Sequence, residues 1–501
     1  MESKVSRRLT QPTAAEVCEH IYLPRLMREF GSGFRYLTDI NQAHLLMLHG
    51  TGLIPADVAA VLAQSLLRIE AEGPGAVQLD PAREDAYFNY EAHLMQMAGA
   101  DAGGRLHVAR SRNDILATHD RLRARDLALD ILEAMLAVRT VALEQADAHA
   151  AVVMPGYTHL QAAQPITYGY YLAGFAESLG RDIARMEQAL ARLDACPLGA
   201  GALAGTAFAI DRAATAQWLG FSSHAPNSLD AVASRDFAWE MLAAITVAAV
   251  SWGRVAQDLY VWATPEFGLI DFPDSIAGTS SIMPQKKNPV VLEYLKGKGG
   301  HMIGLLTGAL AALKTSHFTH SGDGNRESMR GFWEAGEECL RCLALLRLVI
   351  ANATPQRAGM LARARRDFST ATDLADTLVR EAGMSFRQAH HIVGAVVRDA
   401  LDQHLPADEI SADMIDAAAM RVAGRVAGLD AAAVARCLDP EQGVAARMAA
   451  GGPAPVLVRD NVAVQSGATH HARACLDATR ARLDAARAAL KRSVNHLASQ
   501  S

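Results

Sequence analysis

The run from Ile115 to Ala150, "ILATHDRLRARDLALDILEAMLAVRTVALEQADAHA", contains neither glycine nor proline. Its Leu and Ile residues recur at helical spacing, and at 1.5 Å per residue it makes a rod of roughly 50 Å. A second long helix is predicted after Pro165 to about Asp194, a third in "DAVASRDFAWEMLAAITVAAVSWGRVAQDLYVWA", and a fourth after Pro289. Rods of this length pair side by side. Their broad apolar faces exceed what one chain's neighbours cover, so burial against other subunits is the natural completion.

Around the rods the pattern changes. Residues 1–110 read as shorter helices broken by "GSG", "HGTG" and "GPG", and from about residue 360 the helices shorten again, interrupted by "GGPAP" at 451–455. This punctuation predicts an N-terminal helical domain over 1–110, a central long-helix domain over 111–360 and a C-terminal helical domain over 361–501. No strand-rich region, fixed-period repeat or low-complexity tail is expected.

The 48 Lys and Arg against 54 Asp and Glu give a net charge of -6, which argues against bulk attraction to nucleic acid or an anionic membrane. The most apolar helical stretch, "MLAAITVAAVSWG", is too short for a bilayer span and runs into Arg254. The start, "MESKVSRRLTQPT", lacks an apolar signal-peptide core, so a soluble cytoplasmic protein is expected. Cys339 and Cys342 form "CLRC" inside a helical pattern with no second pair at zinc-ligand spacing; two reduced thiols on a helix are expected, and no metal.

Three polar, turn-rich segments lie beside rod ends, where loops on a rigid scaffold commonly carry function. In "GTSSIMPQKKNP" (278–289), Thr279, Ser280 and Ser281 supply hydroxyls and backbone donors, Lys286 and Lys287 supply charge, and Asn288 is expected to cap a helix opened by Pro289. Donors dominate until Glu293, which suits an anion such as a carboxylate or carbanion-derived species; a surface loop with solvated lysines is the alternative. "MPGYTHLQAAQPIT" (154–167) sets Thr158 beside His159, whose side chain can move protons near neutral pH. "HVARSRND" (107–114) offers Arg110, Arg112 and Asn113 as a carboxylate clamp, or else a helix start capped by Asn113 or Asp114 with arginines in solvent. P-loop, GxGxxG, HExxH and GxSxG patterns are missing, and a hydrolase nucleophile at Ser280 or Ser281 has no spacing to select it.

Taken together and in order, "SSIMPQKKNP", "LHVARSRND" and "MPGYTHLQAAQPIT" resemble the fumarase and aspartase superfamily and its argininosuccinate lyase branch, with further matches in "ATDLADTLVREAGMSFRQAHHIVG" and "GGPAP". The resemblance implies a mostly α, three-domain lyase with long central helices forming a multi-helix bundle in a homotetramer, and active sites shared between subunits. It also implies reversible release of fumarate from an N-substituted aspartate, a small aminodicarboxylate, without metal or organic cofactor. By motif position Ser280 is then the base and Lys286 the cation that stabilises the dianion. His159 becomes the general acid, paired with Glu293 unless that carboxylate only complements its own helix dipole. Arg112, Asn113, Thr158, Ser281 and Asn288 hold the succinyl half.

The chain also departs from that pattern. Argininosuccinate lyases usually read "HTGRSRNDQ", and Val108, Ala109 and Ile115 here replace Thr, Gly and Gln. Where the branch carries a segment like "YNxDxQEDK" to hold the arginine half, this chain reads "SGDGNRESM", placing Ser321, Arg326 and Met329 at those positions. Lost partners for a polar substrate weaken recognition, and Arg326 suggests an amine half with its own carboxylate. The chain therefore resembles ethylenediamine-disuccinate lyase in this respect, with argininosuccinate lyase and a delta-crystallin-like structural protein as the alternatives.

Overall fold

The computed structural model describes residues 8–500. Ser111 takes extended backbone and accepts the Asn113 N–H at 3.3 Å, while the Asp114 carboxylate accepts the Ser111 N–H at 2.9 Å, a reciprocal capping box. The cap of the longest central rod is thus Ser111, rather than Asn113 or Asp114 alone. Asp114 also takes the N–H groups of Gly199 and Gly201, each at 2.9 Å, which pins the helix start to a neighbouring loop.

Before this point lie α1 (Leu23–Gly50), α2 (Ala56–Glu72) and α3 (Ala86–Ala98). Helix α4 (Arg112–Ala148) then runs unbroken for 37 residues. Helices α5 (Tyr168–Leu193), α6 (Asp236–Trp262), α7 (Val290–Leu313) and α8 (Gly324–Asn352) complete the central bundle. One contiguous core binds them, with Trp252 and Phe332 fully buried within it. A second core joins α1 to α3 with the start of α4, and a third lies among α9 (Ala371–Arg380), α10 (Phe386–Asp402), α11 (Ala412–Ala423) and α12 (Ala431–Cys437). The "CLRC" cysteines are buried thiols of α8 without a disulfide partner, and burial pushes both up in pKa.

Four features differ from the sequence expectation, the first being that "GSG" at 31–33 lies inside α1 and does not break it. The third rod is broken: a short helix, Ser228–Ala233, precedes α6, and at the break Arg235 bonds the carbonyls of Val232 and Ser234 and the Asp120 carboxylate. The helices do not keep shortening towards the end, because α13 (Pro455–Ala498) is the longest described, at 44 residues. "GGPAP" is its start, with Pro455 in the first turn, and its side chains enter the first two cores at Val458, Val462, Leu490 and Val494. Finally, 153–167 is a β-hairpin: β1 (Val153–Thr158) pairs antiparallel with β2 (Gln161–Thr167), from Val153 opposite Thr167 to Thr158 opposite Gln161.

Candidate active site

The hairpin turn consists of His159 and Leu160 alone, at φ 55° and 58°. Two residues with positive φ make the turn whose twist matches paired strands, a place normally filled by Asn-Gly or a similar pair. Left-handed backbone costs a non-glycine residue about 1–2 kcal/mol. Both side chains are exposed, so packing does not explain the strain; the turn holds His159 out at the tip. Leu160→Gly is expected to stabilise the protein by about 0.5–1 kcal/mol, a gain reduced by glycine's larger entropy loss. A lower denaturation midpoint for that variant would contradict the strain.

At the same end of the bundle stands the loop before α7. Tyr260 and Trp262, in the last turn of α6, mark this end: Tyr260 bonds Glu293 at 3.2 Å, and Trp262 packs against Tyr157 of β1. Gly278 and Asn288 close the loop's base by exchanging two backbone hydrogen bonds of 2.8 Å. A Cβ on Gly278 would sit 2.5 Å from the Val290 side chain, so that approach requires glycine. The expected Asn288 cap is not formed, since α7 begins at Val290 behind Pro289 and the Asn288 amide instead donates to the Thr279 carbonyl at 3.2 Å.

Within the loop, equivalent residue types divide into different roles. The Ser280 hydroxyl oxygen accepts the backbone N–H groups of Ile282 at 3.4 Å and Met283 at 3.1 Å. Donors on that oxygen favour its alkoxide over its neutral form. Ser281 has no such pair of donors and is exposed. Lys287 is tied to Asp271 and Asp274, both at 3.2 Å, whereas the exposed Lys286 ammonium has no ion pair among the described residues. Glu293 lies in the first turn of α7, bonded to Tyr260. No pairing with His159 occurs within the chain.

The remaining candidates lie at the opposite end. Arg112, in the first turn of α4, bonds Glu84 at 2.8 Å and Asp85 at 3.1 Å through one terminal nitrogen and stacks on Phe88. Burial alone would lower its pKa, but Asp85 and Glu84 outweigh that and raise it. The Asn113 amide donates to the Ala202 carbonyl at 3.1 Å. Arg110 does not join the expected clamp: it is buried over the Tyr87 ring, behind the site. Ala109, where the branch has glycine, stands at φ 65°. Arg112, Arg326 and Met329 line one cavity of about 480 Å³ between the starts of α1, α4 and α8, whereas Ser321 is not part of its wall and its hydroxyl is buried without a partner. His320, Asn325 and Arg25, which also line it, were missed from the sequence.

These two groups are separated by the length of the bundle. Helix α7 alone, with 24 residues between Val290 and Leu313, spans about 36 Å. Ser280, Lys286 and His159 are therefore far beyond reach of Arg112 and Arg326 of the same chain.

Comparison with known proteins places this arrangement. A lyase family model matches residues 47–304, and an argininosuccinate lyase C-terminal model matches 368–445. Argininosuccinate lyase 1 of Shouchella clausii is 40% identical over 451 residues, covering 90% of this chain and 91% of the relative. The chain belongs to the argininosuccinate lyase branch of the fumarase/aspartase superfamily. This lyase is also 38% identical to the argininosuccinate lyase of Methanothermobacter thermautotrophicus over 425 residues, 84% of this chain and 90% of that one. Among solved structures, EDDS lyase in complex with formate superposes with a TM-score of 0.87 at 30% identity, covering 98% of this lyase and 97% of that chain. Class II fumarase from Schistosoma mansoni shares the fold, with a TM-score of 0.63 at 15% identity over 82% of this chain and 90% of that one. This lyase is accordingly a fumarate-releasing carbon–nitrogen lyase. None of its described helices is long and apolar enough to cross a membrane.

Proposed function

We propose that this lyase eliminates fumarate reversibly from an N-substituted aspartate, in active sites built from more than one protomer of a homotetramer. The observation that carries the shared site is the separation just described: the loop and hairpin at one end of the bundle, the arginine-lined cavity at the other. Antiparallel stacking of protomers brings opposite ends together, and α7 has a face suited to it. Val290, Ile303 and Leu310 are exposed on that helix, and a Cβ added at Gly297, Gly300, Gly304 or Gly308 meets nothing within 4 Å. Such a surface admits a second helix at close range.

In the assembled site the Ser280 alkoxide takes the proton from the carbon next to a succinyl carboxylate. The electron pair moves into that carboxylate, and the resulting dianion is held by Lys286 and by donors from Ser281 and Asn288. The carbon–nitrogen bond then breaks, fumarate forms, and His159 delivers a proton to the departing nitrogen. Thr158, Arg112 and Asn113 hold the succinyl half, while Ser321, Arg326 and Met329 face the amine half. Glu293 is bonded to Tyr260 and makes no hydrogen bond or ion pair with His159 in this protomer.

For the amine half, the reading favoured is a non-arginine amine of the ethylenediamine-disuccinate kind. Arg326 at the cavity and the EDDS lyase likeness support it. The second reading, argininosuccinate lyase, rests on the 40% identity to a protein of that name. Fumarate absorbance followed with each substrate separates them. Turnover of ethylenediamine-disuccinate with argininosuccinate slower by at least tenfold is expected, and the reverse ranking would overturn the choice. Fumarate neither formed nor consumed with any amine would make the protein a structural relative without activity.

A further inference from the structure

The wall of the cavity at the start of α8 carries seven arginines against four carboxylates. Three of those carboxylates face an arginine, Glu29 with Arg25 and Arg28, Asp120 with Arg235 and Glu337 with Arg123, while Glu334 bonds His301, and Arg112 is paired outside the wall with Glu84 and Asp85. Arg326 and Arg330 have no ion pair or hydrogen bond among the described residues. Burial, with Arg25 and Arg112 nearby, pushes Arg326 below its usual pKa against the opposing pull of Asp85 and Glu29.

Other groups on the same wall also have unpaired polar atoms. Asn325 is only 6% exposed, and neither its amide nitrogen nor its amide oxygen has a partner. Nη1 of Arg25 and Nδ1 of His320 are likewise buried and unpaired. Burial and the guanidiniums of Arg235, Arg112 and Arg326 lower the His320 pKa to about 4, so at neutral pH the ring is uncharged and can offer an N–H. Buried polar atoms are seldom left unmatched in a folded protein, and three side chains from two distant segments share this lack around one space. The Asn325 amide nitrogen and Nη1 of Arg25 are donors without an acceptor, beside Arg326 and Arg330, which have no ion pair among the described residues. A guanidinium or ammonium placed there would meet like charge at short range.

Resting on the lyase reading above, we infer that this cavity selects an amine half bearing carboxylates of its own, an amino dicarboxylate in preference to a diamine or a guanidinium-bearing amino acid. Arg25, Arg326, Asn325 and His320 receive the carboxylate remote from the reacting nitrogen, and the planar guanidiniums can grip it through paired bonds. Three of the four carboxylates of the wall already face an arginine, so a cationic tail is poorly matched there.

The test uses the full-length oligomer and measures binding by calorimetry, without turnover. Glutamate, arginine and 1,4-diaminobutane are the probes. Glutamate is expected to bind at least tenfold more tightly than either of the others, and Arg326→Gln is expected to cut glutamate affinity at least tenfold and shrink that ratio. Arg25→Gln, on a different helix, should shift the ratio in the same direction, so the test stands if one variant misfolds in a thermal melt. Arginine or the diamine binding as tightly as glutamate, or a ratio untouched by both variants, overturns the inference. Absence of fumarate turnover with every substrate would sink the lyase reading alone, since the binding ratio is read without it.

Discussion

Replacing Ser280 with alanine is expected to lower kcat by about 10²- to 10⁴-fold, the range that a positioned proton-transfer group contributes. The melting temperature should stay close to wild type, because the two N–H groups that lose the Ser280 oxygen lie in an exposed loop and turn to water. Ser281→Ala should cost far less. If Ser281→Ala proves the more damaging variant and Ser280→Ala the mild one, the base assignment moves by one residue and the backbone donors at Ser280 are structural. The neighbouring lysines extend the test. Lys286→Gln should lose about 10²- to 10³-fold in kcat by removing an electrostatic partner of the dianion. Lys287→Gln should be mild in kcat, because Lys287 is already neutralised by Asp271 and Asp274. A greater catalytic loss at Lys287 would reverse their roles.

The second large effect concerns two dead enzymes made live by mixing. Ser280→Ala and Arg112→Met are each expected to be nearly inactive alone, yet their co-expression should restore activity. The reason is that the two positions lie at opposite ends of a protomer whose rods span about 36 Å or more. A site assembled from different protomers can draw an intact Ser280 from one chain and an intact Arg112 from another. With random, equal assortment about a quarter of the sites are intact, so roughly that fraction of wild-type specific activity should return. Activity no higher than the average of the parents would mean that both residues act within one chain.

The rods themselves were legible, because unbroken apolar periodicity over dozens of residues has few other solutions. Helix starts were less so. Asn288 beside Pro289 has the composition of a cap, but the residue's backbone is committed to the bridge with Gly278 and its amide to Thr279, and no local rule counts those competing bonds. The hairpin was missed for a different reason: its strands contain Pro155, Gly156 and Pro165, and its turn is His-Leu rather than Asn-Gly. The length of α13 was hidden by its polar surface, since most of its residues remain outside the cores. Among the candidate site residues, motifs singled out Ser280, Lys286, His159 and Arg112, each embedded in a contiguous polar stretch. Arg25, His320 and Asn325 had no such signal. Arg25 lies about three hundred residues before the others, and only the packing of α1 beside α8 makes them neighbours.

The glycine- and proline-free α4 holds the two ends of the chain apart along its 37 residues. Inserting one residue there would turn everything beyond it by about 100° and shift it by about 1.5 Å, so the middle of the rod tolerates little change in length. Substitutions at either tip, by contrast, scarcely disturb the other. On the proposed roles, a lineage with this architecture can explore new amines through the segment around Arg326 while the loop carrying Ser280 stays as it is. Changing what is recognised and keeping how the bond is broken become independent acts of mutation.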